Sequence, residues 1–147
     1  MITIDAYLQQ HGAGHEAELT DQMRANAEAL CAHVNAMLEE FGETRALRSG
    51  WRPQSVNDGT PNAAHASKHI TCQAMDIADD DDALKTWALS RMPDGHYPVL
   101  ERYGLYAEDG RATESWLHVQ IVPPGSGKRV YYPNATWAAR AAAERPA

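Results

Sequence analysis

A chain of 147 residues, 44% hydrophobic and 22% charged, can bury one packed core, which excludes a disordered polymer. No apolar run approaches a membrane span, so an integral membrane protein is excluded too. The net charge of −7 leaves no dense positive face for nucleic acid. The opening MITIDAYLQQHG lacks a basic start and a long apolar stretch, so no Sec signal peptide is expected. Cys31 and Cys72 are too few for a disulfide scaffold and read as reduced, buried thiols.

Residues 1–15 read as an irregular lead-in with a helical turn around Asp5–Gln10. From Glu16 to Phe41, Leu19, Met23, Ala27, Leu30, Val34, Met37, Leu38 and Phe41 recur at helical spacing, and Gly42 stands at a C-terminal cap. This predicts one long amphipathic helix with His33 at a surface or half-buried position. TRALRS (44–49) reads as a strand, and QSVNDGTPNAAHA (54–66) as a loop. QAMDIA (73–78) is a short buried strand, followed by a helix over 79–92 that PDG stops. YPVLERYGLYAE (97–108) and SWLHVQIV (115–122) read as strands joined by a turn at DGRAT. An Ala-rich helical tail closes the chain over 135–147. Without regular βαβ alternation, these elements predict a single α+β domain over 1–147. Its core would run from about 16 to 134, with a small, mainly antiparallel sheet packed with the long N-terminal helix.

Side chains alternate between faces along a strand. Over 114–122, Leu117, Val119 and Ile121 therefore form a core face, and Glu114, Trp116, His118, Gln120 and Val122 share the other. His118 is either simply exposed there or held on a rigid platform for a ligand. Asp76 interrupts the apolar stretch Ala74–Met75–Ile77, and a buried carboxylate is costly unless it is paired or binds a metal. With His69 on the preceding loop, Asp76 and His118 make two imidazoles and one carboxylate. That is a catalytic zinc set with a fourth position open, although the spacing by itself also arises by chance. The acids at Asp79–Asp82 suit a helix N-terminus better than a calcium loop, which needs spaced ligands and a central glycine. PPGSGK lacks the spacing and setting of a P-loop. His11, His15, His65 and His96 fall in loops, and His65 alone lies near the motif.

In order, SGWRPQSVN, SKHITCQAMDI and WLHVQ resemble the zinc D-alanyl-D-alanine carboxypeptidase family. That family includes vancomycin-resistance dipeptidases and phage L-alanyl-D-glutamate endolysins, and it shares its fold with the hedgehog signalling domain. The three blocks span residues 49–120, and the likeness to phage-encoded members runs from the N-terminal helix to PPGSGKRVYYP. The resemblance implies zinc held by His69, Asp76 and His118. It also implies a substrate carboxylate held by Arg52, with Ser67 orienting the site or contacting substrate and Trp116 walling the cleft. A guanidinium fork does match a carboxylate.

Two positions depart from the family pattern. Cys72 stands where glycine is usual, and it reads as a small buried thiol rather than a fourth ligand. Ser115 stands where catalytic members carry the acid that activates water. Three acids could take that role, in the order Glu108, Glu114, Glu101. Glu114 would lie about 13 Å from His118 along a straight strand. Glu101 would pair across from His118 only if Asp109–Gly110 made a two-residue hairpin. The expected function is zinc-dependent hydrolysis of peptidoglycan stem peptides, of D,D-carboxypeptidase or L,D-endopeptidase type, by a monomer without nucleic-acid or membrane partners. A phage or prophage source is expected, with the protein in the host cytoplasm until lysis or carried in the virion. The alternative is a non-catalytic zinc domain of the same fold.

Overall fold

The structure is a computed structural model and describes residues 1–61 and 66–133. The expected tail over 135–147, and His65, lie outside the described residues.

The lead-in is more ordered than its sequence suggests. Helix α1 (Ile4–Gly12) starts where the Thr3 hydroxyl accepts the Ala6 N–H, and it buries Tyr7 and Leu8. A 3-10 turn, Glu16–Glu18, separates it from α2 (Asp21–Phe41). The expected helix thus begins five residues late, because the Thr20 hydroxyl accepts the Met23 N–H and caps it. Gly42, at φ +87°, ends α2 as expected.

Strand β1 (Leu47–Ser49) is shorter than the predicted strand, and the predicted loop after it holds a short helix, α3 (Gln54–Asp58). Strand β2 (Ala74–Ala78) falls where expected. Helix α4 is only Ala83–Ala88, since Asp79 folds back and accepts the N–H groups of Leu84 and Lys85. The acidic run therefore serves a helix N-terminus, and Asp79 is fully buried in doing so.

The predicted strand over 97–108 is half helix. Pro98 opens α5 (Pro98–Arg102), and the Glu101 carboxylate accepts the Tyr97 N–H. Only Tyr106–Glu108 is strand, β3. The turn that follows is a 3-10 helix, Gly110–Ala112, rather than a two-residue hairpin. Strand β4 is Trp116–Gln120, and an unforeseen β5 (Val130–Tyr131) completes the sheet.

The strand order is β1-β2-β4-β3-β5, antiparallel except for the parallel β3–β5 pair. The α+β class and the mainly antiparallel sheet are as expected. On one sheet face Met75 and Ile77 lie opposite Val119 and Leu117, and they share a core with Leu30, Val34 and Met37 of α2. Strand alternation sends Asp76, His118 and Gln120 to the other face. The core thus leaves the two central strands with one polar face.

Candidate metal centre

Asp76 and His118 are direct partners across β2 and β4. The Asp76 Oδ1 lies 2.8 Å from His118 Nδ1 and 3.4 Å from His69 Nε2. The three donor atoms lie within 4.8 Å of one another. Four ligands at zinc's usual bond lengths stand about 3.3 Å apart, so this spacing suits the ion. Neither histidine is exposed: His69 is 4% and His118 7% accessible. Of the two sequence readings of His118, the exposed one fails.

Each ring is held by its other nitrogen, which decides which nitrogen faces Asp76. The His69 Nδ1–H donates to the Gly50 carbonyl at 2.9 Å, leaving Nε2 inward. The His118 Nε2–H donates to Gln120 Oε1 at 3.1 Å, leaving Nδ1 inward. Gln120 is itself fixed, since its Nε2–H donates to the Val122 carbonyl and its Oε1 also accepts the Tyr131 hydroxyl at 2.6 Å. Zinc-binding imidazoles are typically oriented in this way. The donor set fits zinc, with His69, Asp76 and His118 available to hold it.

The electrostatics agree. Burial alone would raise the Asp76 carboxyl, but the His69 charge and the hydrogen bonds from both imidazoles hold it well below the usual carboxylate range. Burial alone would lower His118, but the Asp76 hydrogen bond and the Glu108 and Asp76 charges lift it to about 9.

The SGWR turn explains the placement of His69. A Cβ on Gly50 would lie 2.4 Å from the Tyr7 carbonyl oxygen, so only glycine lets this turn pack against α1. The Trp51 N–H donates to that same Tyr7 carbonyl, and its buried indole donates to Ile70. The Arg52 N–H reaches the His69 carbonyl at 3.1 Å. Loop 67–73 closes through Cys72 at φ +60°, the left-handed region where glycine is favoured. Cys72 is fully buried and is no part of the donor cluster, and burial pushes its thiol up to about 12.

The remaining expected site residues divide. Glu108 comes close, with its Oε1 3.9 Å from His118 Nε2, and burial raises its carboxyl above an ordinary glutamate. Its approach follows from register: Tyr106 and Ala107 pair with Gln120 and Val119, so the next residues meet. Glu114 is exposed on the chain leading into β4 and is not in the donor cluster. Glu101 binds His96 and the Tyr97 N–H, because α5 replaces the hairpin that would have aimed it at His118. Arg52 is half-buried and donates to Asn57 Oδ1 and Ser49 Oγ. Ser67 accepts the His69 N–H at 3.2 Å, a local turn bond rather than a contact within the cluster. Trp116 is half-buried beneath the Arg48 guanidinium, 4.4 Å from its ring centre.

Three further participants have no role in the sequence reading. His11, in the last turn of α1 rather than a loop, meets Ser49 Oγ at 3.1 Å. Burial, then the charges of Arg52 and His69, lower its pKa. Gln120 and Tyr131 steady His118 from β4 and β5. Gln120 shares the His118 face in the strand alternation, a signal that could have found it. Nothing local flags Tyr131.

A family model described as Peptidase M15 matches residues 4–119. No curated protein and no solved structure gives a significant match to the chain.

Proposed function

The chain belongs to the peptidase M15 family, and from that premise we propose that it is a zinc-dependent peptidase cutting peptidoglycan stem peptides. The observation that carries this reading is the convergence of His69 Nε2, Asp76 Oδ1 and His118 Nδ1, with the Glu108 carboxylate 3.9 Å from the other nitrogen of His118. When bound, zinc would polarise a carbonyl and lower the pKa of water toward about 7. Glu108 takes the proton of the attacking water and returns it to the leaving amine, a role suited to a carboxyl raised by burial. Arg52, steadied by Asn57 and Ser49, holds the substrate carboxylate. The protein acts as a single domain and a monomer. A phage or prophage source, with action at lysis or from the virion, accords with the likeness to phage-encoded members.

One observation favours a second reading, a non-catalytic zinc domain. Ser115 holds the position of the usual acid, and its hydroxyl accepts from Arg48 at 2.7 Å. Release of free amines from purified peptidoglycan, with and without a chelator, separates the two. Chelator-sensitive release supports the peptidase. No release by folded, zinc-loaded protein leaves the binding domain.

A further inference from the structure

Beyond the donor cluster lies a groove of about 930 Å³ between the β3–β5 edge and the segment that follows α4. Four of the chain's 13 lysines and arginines line it: Arg91, Arg111, Lys128 and Arg129. On a chain of net charge −7 this is a local reversal of sign. Its two acids are already engaged. Asp109 binds Arg111 Nε and Nη2 at 3.0 and 3.2 Å, and Glu101 binds His96. Among the described residues, Arg91, Lys128 and Arg129 make no ion pair within salt-bridge distance. Arg129 is pre-set, stacked 4.2 Å over Tyr106 with Nη1 donating to the Leu105 carbonyl. A stacked guanidinium keeps its remaining N–H edge for a planar anion.

The groove adjoins the candidate centre. Tyr131 lines it and also donates to Gln120 Oε1, the acceptor of His118 Nε2–H. Asp109 on its wall is the residue after Glu108. The strand order places the centre on β2 and β4 and this groove at the β5 end, while Arg52 follows β1, the strand at the opposite end of that order. A peptide extending from Arg52 across the centre would continue into it.

We propose that the β5 groove is a binding site for the carboxylates of an acidic peptide, the arm of the substrate on the far side of the centre from Arg52. This rests on the peptidase reading for the identity of the substrate, and it makes the cut internal to a peptide that is anionic on both sides. Arg91, Lys128 and Arg129 supply the recognition, and uncharged side chains in the same peptide forfeit it.

The test reads binding rather than hydrolysis. Fluorescence anisotropy follows a labelled tetra-glutamate peptide against the full chain at low salt, with a tetra-glutamine peptide and inorganic tripolyphosphate as comparators. The glutamate peptide is expected to bind at least about tenfold more tightly than the glutamine peptide and to weaken as salt rises. Arg91→Gln with Lys128→Ala, both at exposed positions, is expected to remove most of that difference while the thermal melt stays unchanged. Arg129→Gln is a further variant, read only if its melt is native. Equal affinity for the two peptides, or affinity unchanged in the Arg91/Lys128 variant, overturns the proposal. Tripolyphosphate binding more tightly than tetra-glutamate overturns it in favour of a phosphate polymer. The same titration after chelation is expected to give the same affinities, because the cations lie outside the donor cluster. Failure of the zinc reading would leave them unmoved.

Discussion

At the scale of single residues, the candidate centre depends on which nitrogen each histidine turns toward Asp76. The Gly50 carbonyl decides this for His69, and Gln120 decides it for His118. Metal uptake should follow from the His118 pKa of about 9 in the metal-free protein. Below that pH the ring carries a second proton, and a ligating nitrogen must shed it. Zinc affinity is therefore expected to fall as pH drops, by roughly tenfold per unit between 9 and 7 from this group alone. Calorimetry at pH 7 in buffers of different ionisation enthalpy should show close to one proton released per ion. No proton release would mean either that His118 is already neutral at pH 7 or that it does not bind the ion, and loss of zinc binding in His118→Ala separates the two. Glu108→Gln should lower kcat by about 10²–10⁴ with zinc content unchanged, while Glu114→Gln should leave kcat near that of the parent. A full rate from the Glu108 variant would remove it from the mechanism. His69, Asp76, His118 and Glu108 were all legible as residue types. Of their supports, Gln120 shares the His118 strand face, whereas Gly50 and Tyr131 lie far from the groups they steady and carry no chemical mark.

At the scale of elements, the SGWR turn joins α1, β1 and loop 67–73. Gly50 N–H donates to Gln10 Oε1 while its carbonyl holds His69, so the turn is gripped from both sides. Gly50→Ala drives a methyl into the Tyr7 carbonyl and should cost about 1–3 kcal/mol. It should lower zinc occupancy as well, since His69 loses its orienting acceptor. A lowered melting temperature with full zinc occupancy would show that the turn supports the fold alone. The long helix and the two central strands were readable from hydrophobic period. The apolar spacing of 97–108 fits a strand, but the switch to helix at Pro98 is settled by Glu101 reaching the Tyr97 N–H. Strand β5 is two residues long, too short to carry a period.

At the scale of the whole molecule, the sheet brings a half-buried carboxylate from β2 beside two buried imidazoles, and a bound cation would relieve this. Zinc that binds only the folded chain stabilises it by about 2.7 kcal/mol at one hundred times its dissociation constant. Thermal melts are expected to rise with added zinc and fall with chelator in the parent. In Asp76→Asn the dependence should be largely lost. A melting curve indifferent to zinc would argue against the centre.

The sequence by itself determined the class of fold, the hydrophobic core and the three donor types, because periodicity and residue chemistry are local properties. It also marked Cys72 and Ser115 as departures from the family pattern. Only the tertiary structure decided which acid reaches His118. That choice depends on the register between β3 and β4, set by the 3-10 helix Gly110–Ala112 rather than by the acids themselves. The basic groove likewise exists only once β5 pairs with β3, bringing Lys128 and Arg129 round to face Arg91. Such juxtapositions join residues tens of positions apart, and chain connectivity carries no record of them until the sheet closes.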